Sequence, residues 1–299
     1  MSAVIPPAIA LGAGAAVALT LGNPSPELTR RWAGRLLQLA VVGLGFGVPL
    51  RTVLAAGAAG LGYTALGIVA AVIAGLAIGR WLSVERQTSL LVTAGTSICG
   101  GSAIAAVGPA IGARPEAMSV ALATVFVLNA VALYLFPPIG RWLELSQHQF
   151  AVWAALAIHD TSSVVGAASS YGAAALQEAT VLKLARALWI VPLTMAAAWH
   201  TRRERGHPSA ARSRSMPWFI GLFVLAAVVR SLLPSTALGA LDAVAAGARE
   251  LLAVTLFLIG LGLTRSTLHQ VGARPMLQGL LLWVVLGAGS LGIIVALGR

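Results

Sequence analysis

The chain has 299 residues, of which 58% are hydrophobic and only 10% are charged. A soluble domain carries roughly 25% charged residues, so this composition excludes a water-soluble globule and predicts an integral membrane protein. The 20 lysines and arginines outnumber the 9 acidic residues. This excess is typical of basic cytoplasmic loops between membrane helices, and nucleic-acid binding is not expected.

Apolar runs of about 20 residues, the length that crosses a bilayer, predict an all-α polytopic membrane protein with about ten transmembrane helices. Arginines are concentrated in every second connection, which predicts that both termini lie outside and that the odd-numbered loops lie in the cytoplasm. The most basic of these loops is 200–215, and residues 1–299 are predicted to form a single transmembrane domain. The predicted spans are 4–21, 34–51, 58–79, 88–111, 117–137, 149–170, 178–199, 216–233, 247–264 and 276–297.

Two segments of the chain resemble each other. Leu36–Ala58 and Leu251–Ala273 share a G-x-G pattern and a later Gly-Ala pair. They belong to the second and ninth predicted spans, which run in opposite directions, so the similarity predicts an inverted repeat. A weaker similarity aligns Glu116 with Glu178, together with the polar segments before them. Its offset of two spans implies equal orientation, and this second similarity is left open.

The fourth predicted span contains the polar stretch Thr96–Ala106, "TSICGGSAIAA", near its midpoint. Adjacent glycines favour local unwinding, and the half-helix that follows would direct free N–H groups and a positive dipole end at an anion. The alternative, weighted about equally, is that these small residues permit close helix packing. The candidate substrate-binding residues in this stretch are Ser97, Cys99, Gly100, Gly101 and Ser102. Cys99 is the only cysteine, which excludes an intrachain disulfide and a cysteine-based metal site. No cofactor is predicted.

The sixth predicted span has a second polar centre at Ile158–Ser163, "IHDTSS". An ionisable residue at the bilayer midplane is costly unless paired and marks a functional site by default. His159 and Asp160 are therefore candidates for proton coupling, with Asp160 paired to Lys183 or Arg186, which lie on one face of the seventh span. The alternative is a static ion pair. Thr161, Ser162 and Ser163 complete the predicted substrate-binding set, and Asn129 is a lesser candidate.

The stretches "GTSICGGSAIAAVGP" and "AIHDTSSVVGAAS", with the glycine patterns of spans two and nine, resemble the YeiH-type membrane proteins, which are predicted to export sulfate. The resemblance implies a secondary transporter related in architecture to the cation–proton antiporters and bile-acid transporters. Such proteins have inverted repeats and two discontinuous helices that cross near the midplane. Ser97–Ser102 and His159–Ser163 are the positions that match the signature stretches. The implied substrate is a small anion, with sulfur-containing anions as candidates.

The leading hypothesis is a proton-coupled secondary transporter of a small anion in the cell inner membrane, working by alternating access. Its expected partners are the anion and the lipid bilayer, and association with further copies of the chain is left open. A passive anion channel is one alternative. An intramembrane serine hydrolase using Ser102 and His159 is another, although Asp160, the next residue along a helix from His159, is badly placed to orient the imidazole. An enzyme is therefore not predicted.

Overall fold

A computed structural model describes residues 7–205, 218–234, 238–262, 264 and 272–297. Most of the predicted basic loop 200–215 lies outside these residues, as does most of the second similar segment after Gly262. The described residues form helices and connections. The helices are α1 (Pro7–Thr20), α2 (Pro26–Gly45), α3 (Leu50–Trp81), α4 (Arg86–Ser97), α5 (Gly101–Ala110), α6 (Pro115–Trp142), α7 (Gln147–Ala157), α8 (Thr161–Tyr171), α9 (Ala173–Ala187), α10 (Ile190–Arg205), α11 (Trp218–Leu232), α12 (Leu238–Leu261) and α13 (Ala273–Leu297).

Five segments within the described residues are long and apolar enough to cross a membrane. They are Thr64–Trp81, Pro115–Trp142, Ala173–Thr201, Leu238–Leu261 and Ala273–Ala296. The third of these spans α9 and α10 with the short turn between them. The all-helical character and the presence of membrane-spanning helices predicted from composition are therefore confirmed.

Helices α1, α2, α11 and α12 form one group, in which α2 and α12 run antiparallel. Gly43 of α2 lies against the Ala248 side chain, Gly47 lies against that of Ala245, and Asn23 before α2 donates to the Leu261 carbonyl at 3.0 Å. The two similar segments thus begin in helices that pack directly on each other. The small residues at this contact allow the two backbones to approach closely.

Helix α1 crosses α12 at an even closer contact, which predicts a strong effect of one added methyl group. A Cβ on Gly260 would overlap the Leu11 carbonyl oxygen and lie 2.8 Å from the Ala15 nitrogen. Because both neighbours are backbone atoms, Gly260→Ala must push α1 away, and we expect a loss of about 1–3 kcal/mol of stability. Thermal unfolding in detergent measures this loss. Gly289→Ala is the matched control, since a Cβ there meets nothing within 4 Å, and an equal shift in both variants would contradict the prediction.

Helices α4 and α5 form a helical hairpin. Their outer ends meet: Gln87 accepts a hydrogen bond from the Arg114 N–H at 3.1 Å, and Arg114 forms an ion pair with Glu85 at 3.4 Å. Burial alone would raise the pKa of Glu85, but hydrogen bonds from Thr88 and Gln87 and the charge of Arg114 outweigh it and hold the pKa below its usual value. A continuous helix over 88–111 would separate its ends by about 35 Å. The prediction that 88–111 is one crossing span is therefore wrong.

Helices α7 and α8 form a second hairpin of the same kind. The Tyr171 hydroxyl at the end of α8 donates to the Leu145 carbonyl before α7 at 2.5 Å, and the Tyr171 ring stacks on Phe150 with centroids 3.8 Å apart. The Ser146–Gln149 capping box begins α7. The segment 149–170, predicted as one span, thus also returns to the end from which it started. In both hairpins the polar and glycine residues at the midpoint replace helical hydrogen bonds with a turn.

Helix α6 places the two hairpins on opposite ends of the bundle. It has 28 residues, about 42 Å at 1.5 Å per residue, and joins the open end of the first hairpin to that of the second. We call these the Glu85 end and the Leu145 end of the bundle. Each hairpin points inward from its own end, so the two tips approach each other in the middle.

Helix α13 holds both hairpins. The buried Gln278 amide donates to the Ser89 hydroxyl of α4 at 2.9 Å and to the Gly75 carbonyl of α3 at 3.0 Å. Further along α13, the Gly287 carbonyl accepts the Trp153 indole N–H of α7 at 2.9 Å. The hairpins, α3, α6, α9 and α13 therefore pack as a second group beside the group of α1, α2, α11 and α12.

Candidate functional site

The tip of the first hairpin is an interruption between α4 and α5 at Ile98–Gly100. Gly100 has φ +60° and ψ −123°, a conformation that a residue with a side chain rarely adopts. The N-cap residue of α5, Gly100, offers no side-chain hydrogen bond to the helix start, where the N–H groups have no intrahelical partner. The Cys99 thiol lies at this helix start, beside Ser102 and the Ala103 N–H.

The tip of the second hairpin is the interruption between α7 and α8 at Ile158–Asp160. The Asp160 carboxylate caps α8, accepting hydrogen bonds from the Ser162 N–H at 2.6 Å and from the Ser162 and Ser163 hydroxyls at 2.6 Å and 2.8 Å. An aspartate at this position stabilises the positive end of the helix. The start of α8 is thus already occupied by an anion that belongs to the chain.

The two tips touch. A Cβ built on Gly100 would lie 3.0 Å from the Asp160 Cβ, so a side chain at position 100 would require the second tip to give way by a few tenths of an ångström. The two interruptions predicted from the sequence are therefore brought together, and the starts of α5 and α8 lie next to each other.

Two buried cations from α9 bind the ends of α4 and α7. Arg186, 2% exposed, donates from Nε to the Ser97 carbonyl at 2.9 Å and from Nη1 to the Leu156 carbonyl at 2.7 Å. Lys183, fully buried, donates to the Ile158 carbonyl at 2.6 Å. These carbonyls form the negative ends of the two half-helices, where a cation is favoured. Arg186 thus joins both hairpin tips.

The predicted ion pair of Asp160 with Lys183 or Arg186 is wrong as a direct contact. The hydrogen-bond partners of Asp160 are Ser162 and Ser163, whereas the two cations take carbonyl oxygens that the helix ends leave free. Lys183 still lies within electrostatic range of Asp160. The physical reason is that the interrupted helices supply backbone acceptors for the cations and backbone donors for the carboxylate, so each charge is satisfied by a helix end.

His159 and Asn129 add polar atoms that have no partner among the described residues. The His159 N–H donates to the Asn129 Oδ1 at 3.0 Å, which leaves the Asn129 Nδ2 and both imidazole nitrogens unpartnered. Each such buried group costs about 1–3 kcal/mol, so these atoms call for a bound partner. The sequence ranked Asn129 only as a lesser candidate, and an amide in the middle of an apolar helix was the one signal for it.

The remaining predicted residues take different positions. The Ser97 hydroxyl donates to the Thr93 carbonyl of its own helix at 2.6 Å, and the contact that Ser97 makes with the site is through its carbonyl. Gly101 is half-buried and Ser102 is exposed at the start of α5, while Thr161 is half-buried at the start of α8. The hydrolase hypothesis requires a hydrogen bond between Ser102 and His159, and both imidazole nitrogens lack such a partner within the described part of the chain.

The charge balance of the tips favours an anion. With Lys183 and Arg186 protonated and Asp160 ionised, two positive charges face one negative charge, and the two negative helix ends are matched by two positive ones. In that protonation state one positive charge would be uncompensated in a buried region, where electrostatic interactions are strong. A small monoanion at the start of α5 would complete the balance.

Comparison with known proteins gives a consistent family. The family model described as conserved hypothetical protein 698 matches residues 8–279. The chain is 45% identical over 296 residues to a UPF0324 membrane protein of Bacteroides thetaiotaomicron, covering 98% of this chain and 87% of the relative. It is 49% identical over 289 residues to one of Bdellovibrio bacteriovorus, covering 96% and 88%, and 47% identical over 284 residues to one of Geobacter sulfurreducens, covering 94% and 88%.

No solved structure matches the chain. These relatives are named as membrane proteins, and their names give no substrate, so sulfate export stays a prediction from the sequence resemblance. The relatives' names and the apolar helices of the fold together identify a multi-pass membrane protein. The chain belongs to the conserved hypothetical protein 698 family, with the UPF0324 membrane proteins as its relatives.

Proposed function

We propose that the protein is a secondary active transporter of a small anion, coupled to protons through Asp160. The observation that carries this proposal is the meeting of two hairpin tips around two buried basic side chains, Lys183 and Arg186. Backbone that leaves the helical conformation at membrane depth is tolerated where it lines a binding site or a cavity. Secondary transporters place substrate sites at such points near the midplane.

In the membrane, the two hairpins are proposed to be re-entrant. Helix α4 has 12 residues and α7 has 11, so their combined length of about 35 Å is close to the bilayer core of about 30 Å. Tips that enter from opposite sides then meet near the midplane. The resulting topology has eight crossings, made by α1, α2, α3, α6, α9 with α10, α11, α12 and α13. In this topology α1 begins and α13 ends at the Leu145 end, and the arginine-rich connections at the Glu85 end favour a cytoplasmic position for that end.

This topology changes the orientation that the second similarity implies. With ten crossings the second similarity, between the segments ending at Glu116 and Glu178, implied equal orientation. If each hairpin makes no crossing, the two segments are one crossing apart and their orientations are opposite. Each similarity then relates segments of opposite orientation, as an inverted repeat requires. Because 36 precedes 116 whereas 251 follows 178, the two similarities do not belong to one and the same repeat.

Alternating access would move the group that carries the hairpins against the group of α1, α2, α11 and α12. Gln278 and Trp153 bind the hairpins to α13, so the hairpins and α13 would move as a unit. Displacing this unit in one direction or the other would expose the site to one side of the membrane at a time. Coupling would arise because the Asp160 carboxylate and the substrate anion both bind at the adjacent starts of α5 and α8 and repel each other. Protonation of Asp160 removes this repulsion between the carboxylate and the anion.

Uptake by purified full-length protein in proteoliposomes tests the proposal. Sulfate, sulfite, thiosulfate and small sulfonates are screened with and without an imposed pH gradient. Accumulation of one anion above its equilibrium level, driven by the gradient, is the expected result. Flux that ignores the gradient and greatly exceeds transporter turnover would instead support the passive channel, and failure to move any anion would overturn the proposal.

The variant Asp160→Asn is expected to uncouple transport from protons. The asparagine oxygen still accepts the Ser162 N–H and retains the helix cap, but the side chain no longer titrates. Gradient-driven accumulation should therefore fall at least about tenfold, while exchange of internal for external substrate continues. Asp242→Asn is the control, because Asp242 pairs with Arg230 at 2.7 Å away from the tips. Unchanged gradient dependence in Asp160→Asn would show that this carboxylate does not carry the proton.

A further inference from the structure

We infer that Arg249 forms a second anion-binding site, in a cavity between α9 and the group of α1, α2, α11 and α12. A small oxyanion would bind there on its way between the Leu145 end and the hairpin tips. The inference rests on the proposed function and adds to it a binding residue from the group of helices that does not carry the hairpins.

The cavity lies where the two groups of helices face each other. Its volume is about 250 Å³, including its open mouth. Gln177 and Thr180 of α9 line one side, and residues of α2, α11 and α12 line the other, among them Arg249. The Gln177 Nε2 donates to the Gly47 carbonyl at 3.2 Å, so α9 is close to the end of α2 here. The cavity is therefore narrow in this conformation and would widen when the two groups move apart.

Arg249 lies in the middle of a membrane-spanning helix. It is the twelfth of the 24 residues of α12, about 17 Å from the first at 1.5 Å per residue. A charged side chain at this depth is costly and marks a functional position by default. The predicted span 247–264 put Arg249 near the membrane surface, so its depth becomes clear only from the start of α12 at Leu238.

The guanidinium of Arg249 is available to a ligand. Arg249 is exposed and forms neither a hydrogen bond nor an ion pair with the described part of the chain. The neighbouring Glu250 projects about 100° away around α12 and has an interaction of its own. Lipid tails would leave the charge of Arg249 unsolvated, whereas the cavity can admit water and an anion. Because a guanidinium donates two parallel N–H bonds, it matches the oxygen pair of a carboxylate, sulfonate or sulfate.

The cavity leads toward the buried cations at the tips. Leu176 and Thr180 line it, and with Lys183 they have the spacing i, i+4 and i+7, which places all three on one stripe of α9. Helix α9 starts at the Leu145 end, directly after α8, so Thr180 lies between that end and Lys183. The cavity thus reaches to within about one helical turn of Lys183. An anion moving from the Leu145 end toward Lys183 would pass Arg249.

Cysteine labelling in proteoliposomes tests the cavity without relying on transport. Thr180→Cys places a thiol in the cavity, and the full-length protein is treated on both sides of the bilayer with two membrane-impermeant methanethiosulfonates. One carries a sulfonate and the other a trimethylammonium group. We expect the anionic reagent to be favoured at least about tenfold, relative to its preference at Ala174→Cys, which is exposed at the start of α9.

Two controls define the labelling. Wild-type protein gives the background, because its one cysteine is Cys99, which is 4% exposed. Val254→Cys lies on α12 at an apolar position that is 51% exposed. A thiol facing lipid should react with neither charged reagent, so labelling at position 180 alone would identify a space filled with water.

Variants of Arg249 assign the charge preference. Arg249→Gln in the Thr180→Cys protein should lower the preference for the anionic reagent about fivefold or more, and in the wild-type background it should lower kcat/KM for anion uptake about tenfold. Arg249→Lys keeps the charge and should keep most of the preference. Arg30→Gln, at a side chain that is 70% exposed, should change neither measurement. If Thr180→Cys does not fold, Gln177→Cys places the thiol on the same wall of the cavity.

The outcomes separate this inference from the proposed function. Failure of the thiols at positions 180 and 177 to react with either reagent would overturn the cavity as a path. An unchanged preference in Arg249→Gln would assign the attraction to Lys183 and overturn the role of Arg249. Wild-type uptake by Arg249→Gln would overturn the place of Arg249 in transport. A preference that depends on Arg249 in a protein that transports no anion would overturn the proposed function and leave the anion-binding site standing.

Discussion

Replacing Arg186 by lysine is expected to reduce anion uptake at least about tenfold and to lower thermal stability, although the positive charge is kept. The guanidinium donates to the Ser97 carbonyl of the first hairpin and to the Leu156 carbonyl of the second. A lysine ammonium is a single point on a flexible stem and cannot reach both carbonyls in the same geometry. One hairpin tip therefore loses hydrogen bonds to a charged donor, at a cost on the order of 2–4 kcal/mol.

Uptake in proteoliposomes and thermal unfolding in detergent measure the two effects of Arg186→Lys. Arg30→Lys is the matched control, because the Arg30 side chain is 70% exposed and pairs with Glu27 on the surface of α2. The control should retain the uptake rate and melting temperature of the wild-type protein. Wild-type uptake by Arg186→Lys would mean that transport does not depend on one side chain joining the two tips.

The positions of both hairpin tips could be predicted from the sequence, but their direction could not. Gly100 and the His159-Asp160 pair stand out within apolar runs, so the interruptions were placed near the middle of 88–111 and 149–170. A hydropathy window of about 20 residues has the same average for one crossing helix and for two half-length helices that return. The difference depends on contacts between distant residues, such as Glu85 with Arg114 and Tyr171 with Leu145.

The identity of the charged residues in the site was also predictable, whereas their partners were not. Lys183 and Arg186 share one helical face, and the sequence suggested Asp160 as their counter-charge. A sequence pattern of this kind suggests partners for a charged side chain only among other side chains. The partners of both cations are backbone carbonyls, which become available only because α4 and α7 end at the tips. For the same reason, the role of Asn129 as a hydrogen-bond acceptor for the second tip emerges only from the fold.

Replacing Gly100 by alanine is expected to be as disruptive as the change at Arg186, and for two independent reasons. The backbone at this position has φ +60° and ψ −123°, which is strained for any residue with a Cβ. The added methyl carbon would also lie 3.0 Å from the Asp160 Cβ and 3.3 Å from a Val125 methyl. Strain and overpacking together should cost on the order of 3 kcal/mol, lower the melting temperature by several degrees and greatly reduce uptake.

The control for Gly100→Ala should change stability in the opposite direction. Gly67 lies within α3, and a Cβ there meets nothing within 4 Å. Alanine is favoured over glycine by about 1 kcal/mol inside a helix, so Gly67→Ala should raise the melting temperature or leave it unchanged while uptake continues. Wild-type stability and uptake in Gly100→Ala would contradict this prediction, since a methyl group at position 100 is accepted only if Asp160 gives way by a few tenths of an ångström and the backbone keeps its positive φ.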